Sequence, residues 1–96
     1  IIIKRRIYIT IFIINSIMRV EINEYIVADS EICGGSPTFK KTRIMVSIIL
    51  ELLGAGVTIE EIKRDYYPQL SKEAILSVFG YISKLLENER KSVYQV

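Results

Sequence analysis

Two interruptions in an otherwise helical pattern constrain this chain most. Between residues 46 and 88 apolar residues recur at helical spacing, and Gly54-Ala55-Gly56 and Tyr67-Pro68 cut that stretch into three. Val46, Ile49, Leu50 and Leu53 fall at i, i+3, i+4 and i+7 and share one face of a first helix over residues 46–53. The glycines stop it, because glycine tolerates the left-handed cap conformation. Thr58 opens a second helix, and Glu61 three residues on completes a T-x-x-E capping box. Ile59, Ile62 and Tyr66 are expected inward on it, with Glu60, Lys63 and Arg64 outward. Pro68 ends that helix near Tyr66, since the residue before a proline is pushed out of the α region. Ser71 caps a third helix over residues 72–88. Its expected apolar stripe is Ile75, Val78, Phe79, Ile82, Leu85 and Leu86, with Lys72, Glu73, Ser77, Lys84 and Glu87 toward water. Gly80 costs about 1 kcal/mol against alanine inside that helix, which suits a site where another backbone packs closely.

Upstream, the signals change from helical to extended. Tyr25-Ile26-Val27 is a β-prone run closed by the turn formers Ala28-Asp29-Ser30. Gly34-Gly35-Ser36-Pro37 requires a loop or tight turn. Residues 38–44 then alternate loosely between polar and apolar, as a second short strand would. Two strands rarely stand alone in water, so they must lie on the helices or on another subunit. The expected fold is therefore mainly α, three helices preceded by a short β-hairpin or edge strands. The second and third helices are spaced as in a helix-turn-helix, and a plain three-helix bundle fits the same caps.

The chain's chemistry is narrow. Its 96 residues allow one domain, which we place at 18–88 with a polar tail at 89–96. A core of this size is modest and often gains stability from a second copy. There is no histidine, which removes Ser-His-Asp triads, Cys-His dyads and histidine metal ligands. The single cysteine, Cys33, can form neither an internal disulfide nor a thiolate cluster, and reads as a small semi-apolar side chain ahead of a reactive thiol. That usage suits a reducing, cytoplasmic setting. Glu60 and Glu61 are adjacent on a helix, point to different sides and cannot form a carboxylate dyad. We expect no enzyme activity, no cofactor and no metal.

Residues 1–17 stand apart. They carry Lys4, Arg5 and Arg6 without an acid, while the remainder sets ten Lys or Arg against eleven Asp or Glu. The overall charge of +2 thus belongs to this segment, and the body nets to −1. A strong general pull on nucleic acid is not expected of the body. The apolar run after Arg6 is about twelve residues, short of the roughly 20 that span a bilayer. Its residues are those of AT-rich codons and Met18-Arg19-Val20 reads like a start. We read 1–17 as an upstream extension, ahead of an extra strand or a signal or anchor.

The motifs of residues 24–82 together resemble a known family. Ile26, Asp29 and Glu31 match an Ile-x-x-Asp-Pro-Glu lead, with Ser30 in place of proline. Gly35-Ser36-Pro37 matches a Gly-x-Pro turn. Thr42-Arg43-Ile44-Met45-Val46 matches Thr-Arg-Ile-x-Val, with Lys41 where glycine is usual, and Tyr67-Pro68-Gln69-Leu70 matches Tyr-Pro-x-Leu. This pattern is similar to that of the bacterial and archaeal family called domain of unknown function 433, which includes antitoxin-like proteins of the VapB type. The resemblance implies a homeodomain-like helix-turn-helix core, often paired as a homodimer. It also implies an antitoxin or transcriptional regulator that binds operator DNA and a partner toxin. On that reading Gln69, Lys72, Glu73 and Ser77 would lie near base edges, and Lys40, Lys41, Arg43, Lys63 and Arg64 near phosphates. The alternative is a small dimeric protein-interaction module that never touches DNA.

Overall fold

The computed structural model describes residues 18–94, so the expected extension over residues 1–17 lies outside the described residues. Three strands come first: β1 (Arg19–Glu21), β2 (Ile26–Asp29) and β3 (Pro37–Phe39). They form one antiparallel sheet in the order β1-β2-β3. Ile26 stands opposite Phe39 and Val27 opposite Thr38, while Arg19 pairs with Asp29 across the other ladder.

Two local devices shape the sheet. Asn23 makes the first turn by accepting the backbone N–H groups of Tyr25 and Ile26 on its Oδ1, at 2.7 and 2.9 Å. Between β2 and β3 a short 3-10 turn, Cys33–Gly35, carries three successive residues at positive φ, 51°, 65° and 89°. Only the two glycines adopt that region freely, which explains the GG pair there. Pro37 follows as the first residue of β3, a strand position that proline tolerates.

The helices follow. α1 (Val46–Gly54) closes in a Schellman motif. The Gly56 N–H donates to Leu53 O at 3.1 Å and the Val57 N–H to Leu52 O at 3.0 Å, with Gly56 at φ 90°. α2 begins as a single α-turn (Ile59–Glu61), with the Thr58 hydroxyl oxygen accepting the Glu61 N–H at 3.1 Å. It then widens into a π-helical turn (Ile62–Tyr66), closed by the Tyr67 N–H donating to Ile62 O at 2.7 Å. α3 (Lys72–Tyr94) is capped by Ser71, whose Oγ accepts the Ala74 N–H at 3.1 Å.

One core joins sheet and helices. Ile26 and Phe39 from the sheet pack with Ile44, Val46, Ile49, Ile62, Leu70, Ala74, Ile75 and Val78. This corrects the expected fold class. The molecule is a small α/β fold in which a three-stranded antiparallel sheet supplies part of the core, not a homeodomain-like helix-turn-helix with strands attached. The physical reasons are two. Arg19–Glu21 adds a third strand where a polar-apolar-polar run of three gives almost no periodic signal. α2 is also too short and too wide to serve as the first helix of a regular helix-turn-helix.

Smaller corrections follow the same geometry. The second strand ends at Phe39, because Lys41 takes φ 63° in the turn that follows. The extra residue of the π-helical turn swings Tyr66 outward, where it is 50% exposed, and brings Tyr67 against the core. α3 continues to Tyr94 and does not stop at residue 88, since no proline or glycine interrupts residues 89–94 and Arg90 pairs with Glu87 at 3.0 Å.

Candidate docking face on the last helix

α3 is longer than the core it covers. Its 23 residues span roughly 35 Å, and core-facing side chains end at Ile82, about 18 Å short of the C-terminal end. Ala74, Ile75 and Val78 face the core, with Tyr81 and Ile82 packed beside them. Phe79 and Leu86, both expected in that stripe, are 50% and 62% exposed. Leu85 is also exposed. The reason is angular: the sheet and α1 meet α3 along a narrow line, and residues outside it turn to solvent.

The exposed residues form a stripe of their own. Leu76, Phe79, Ser83, Leu86 and Arg90 recur at i, i+3, i+7, i+10 and i+14, the seam spacing of paired helices. Gly80 lies beside the seam, and a Cβ built there would meet nothing within 4 Å. Its lack of a side chain therefore has no cause inside the chain. Sequence reasoning missed this second stripe, because at helical spacing Phe79 and Leu86 fit the edge of an inward stripe as well as an outward one.

The nine expected DNA-contact residues fall in three groups on separate elements, and no hydrogen bond or ion pair among the described residues links one group to another. Lys40 follows β3 and pairs with Glu21. Lys40 and Arg19 beside it hold the Glu21 carboxyl below the usual glutamate range. Lys41 and Arg43 are exposed in the same turn, and the Arg43 carbonyl accepts the Cys33 thiol at 3.5 Å. On α2, Lys63 is half-buried, and Arg64 grips the neighbouring Asp65 with two bonds of 2.9 and 2.8 Å. Those bonds lower the Asp65 pKa and raise that of Arg64. Gln69, Lys72 and Glu73 are exposed around the α3 N-terminus. Ser77, expected toward water, is half-buried: its hydroxyl donates to Ala74 O at 2.7 Å and its carbonyl accepts from Asn23.

A shallow apolar groove runs on the other side of α3, lined by Pro37, Val46, Leu50, Tyr81, Ile82 and Leu85. Its volume of about 230 Å³ is below the roughly 300 Å³ at which ligand pockets begin. No group of three or more His, Cys, Asp or Glu among the described residues could hold a metal ion. No described helix is long and apolar enough to cross a membrane.

No curated protein and no solved structure matches the chain. One family model, described as protein of unknown function (DUF433), matches residues 26–82, well over half of the 96. Those bounds take in β2, β3, α1, α2 and the core-facing half of α3. The description carries no activity and no partner. With more than half its length matched, this chain belongs to the DUF433 family.

Proposed function

We propose that this protein works by associating with other protein chains through the outer face of α3, without catalysis. The observation that carries the reading is Phe79, half exposed on a helix whose core-facing side is already filled, with Leu76 and Leu86 on the same stripe. Grouped apolar side chains on a helix favour burial against a partner, and aromatic residues are frequent anchors of such contacts. An antitoxin that neutralises a toxin is a protein of this kind. A toxin is the partner class suggested by the family resemblance, and the cytoplasm is the setting suggested by the lone cysteine. Operator DNA is not part of the proposal. Lys40 and Arg64 already have carboxylate partners, and Glu73 would bring a negative charge to the helix end that a recognition helix points at bases.

The test is co-expression of the full chain with the protein encoded by the adjoining gene, followed by gel filtration. The wild-type chain is expected to hold its partner through the column, and Phe79→Asp to lose it while keeping its thermal melt. A chain that associates with no protein at micromolar concentration, its own copies included, overturns the proposal.

A further inference from the structure

Strand β1 is fastened to the sheet by weaker means than the strands beside it. All three of its residues are exposed, and Met18 just before it and Val20 within it each keep 49% of their surface open. Packing against the core begins one residue after β1, with Ile22. β2 is held independently: Ile26 and Val27 are buried, and Val27 stands opposite Thr38 of β3. The family match begins at Ile26 and so takes in β2 without β1.

A short ladder and a ring of charge hold β1 in place. Met18 O accepts the Ser30 N–H at 2.9 Å, and Ile26 O accepts the Ile22 N–H at 3.0 Å. Alternation along an antiparallel ladder makes Val20 and Ala28 the hydrogen-bonded pair between them. Arg19 reaches Asp29 at 3.4 Å and Glu21 at 3.1 Å, and Lys40 pairs with Glu21. Exposed ion pairs of this kind add little stability each. The charges on the sheet side, however, do not depend on β1 for their positions. Asp29 is fixed by its own turn, where it accepts the Glu31 N–H at 2.9 Å, and Lys40 by its N–H donating to Tyr25 O at 2.9 Å. An acid and a base therefore stay at opposite ends of β2 when β1 leaves.

We propose that β1 is a displaceable cover, and that the β2 edge beneath it binds an extended partner peptide carrying a basic residue and, two positions on, an acidic one. Such a peptide runs antiparallel to β2 and restores the backbone bonds of Ala28, as strand addition to an open edge does. It sets its base against Asp29 and its acid beside Lys40, the places of Arg19 and Glu21. The reverse order of charges brings like against like and is rejected. This surface is separate from the outer face of α3 and is tested apart from it.

Amide hydrogen exchange of the full chain tests the cover. The Ala28 N–H points to β1, and by the same alternation the Val27 N–H points to β3. Protection at Ala28 is expected to be at least ~100-fold lower than at Val27. Equal protection would mean that β1 leaves only with the whole fold, and overturns the cover. Val20→Pro removes the N–H that faces Ala28 and opens the cover within the full chain. That variant is expected to keep a cooperative melt, and its unfolding also overturns the cover. Against it, NMR titration compares a capped peptide of residues 18–22 with its Arg19→Glu, Glu21→Arg counterpart. The first is expected to shift the Ala28 and Asp29 amides at ~1 mM or below and to bind at least ~10-fold more tightly than the second. Equal binding of the two, or binding of neither, overturns the peptide site.

Discussion

Asn23 ties the sheet to α3. Its side-chain amide donates to Ser77 O at 3.5 Å, across 54 residues of sequence, while its Oδ1 accepts two backbone N–H groups of the β1–β2 turn at 2.7 and 2.9 Å. The short bonds are the local ones, so most of the stabilisation lives in the turn. Asn23→Ala leaves two partly buried N–H groups unpaired and is expected to cost about 1–3 kcal/mol. Asn23→Asp keeps the acceptor, gives up only the longer bond to Ser77, and is expected to cost under ~1 kcal/mol. Urea denaturation of the two variants checks the difference; equal losses would mean that the Ser77 bond dominates.

Thr38 is fully buried in β3, opposite Val27, and its hydroxyl has no hydrogen-bond partner among the described residues. Thr38→Val replaces that hydroxyl with a methyl of similar size. The expected outcome is a gain of about 1 kcal/mol, read as a higher urea midpoint with an unchanged slope.

Two glycines should answer alanine in opposite directions. Gly56 sits at φ 90° and its N–H closes α1, so Gly56→Ala is expected to lose about 1–2 kcal/mol. Gly80 is within a regular helix with open space around it, so Gly80→Ala is expected to gain up to ~1 kcal/mol when the chain is dilute enough to be monomeric. Thermal melts at low protein concentration compare the pair directly.

Glu21 is the carboxylate whose ionisation matters to the sheet. Its pKa in the folded chain is depressed, first by the hydrogen bond from Lys40 and then by that from Arg19. A depressed carboxylate contributes stability that is present above its unfolded value, about 4.3, and is lost as pH falls through the lower folded value. The group is solvent-exposed, so the effect is small and weakens with salt. Chemical denaturation between pH 5 and ~2.5 should show wild type losing slightly more stability than Glu21→Gln at low ionic strength, and the gap closing in 0.5 M salt.

What the residues announced in advance was punctuation. The caps at Thr58 and Ser71, the glycine stop after α1 and the turn before Pro37 all act through bonds within a few positions, so residue type alone reveals them. Faces were harder. Which side of α3 is inside depends on where the sheet lands, and Phe79, Leu85 and Leu86 fit an inward stripe as well as an outward one until Ile26 and Phe39 occupy the space beside Ile75. β1 was invisible for a different reason: three residues paired to Val27–Asp29 are too few for a period to emerge. Lys41 gave a hint, since it stands where glycine is usual in the family pattern and takes the left-handed conformation that glycine would adopt without strain.

The wide turn at Ile62–Tyr66 makes α2 a place where a change in the chain's length is absorbed. A π-helical turn holds one residue more than an α-turn, so deleting Asp65 would let the segment close as ordinary α-helix. The Tyr67 N–H would then reach Ile62 O as an ordinary α-helical bond, and the side chains after it would keep their direction relative to those before. Tyr67 would stay packed beside the core, and Leu70 would keep its buried place ahead of α3. The wide turn thus takes up one surplus residue within itself and passes none of it on to α3, whose outer face keeps its direction.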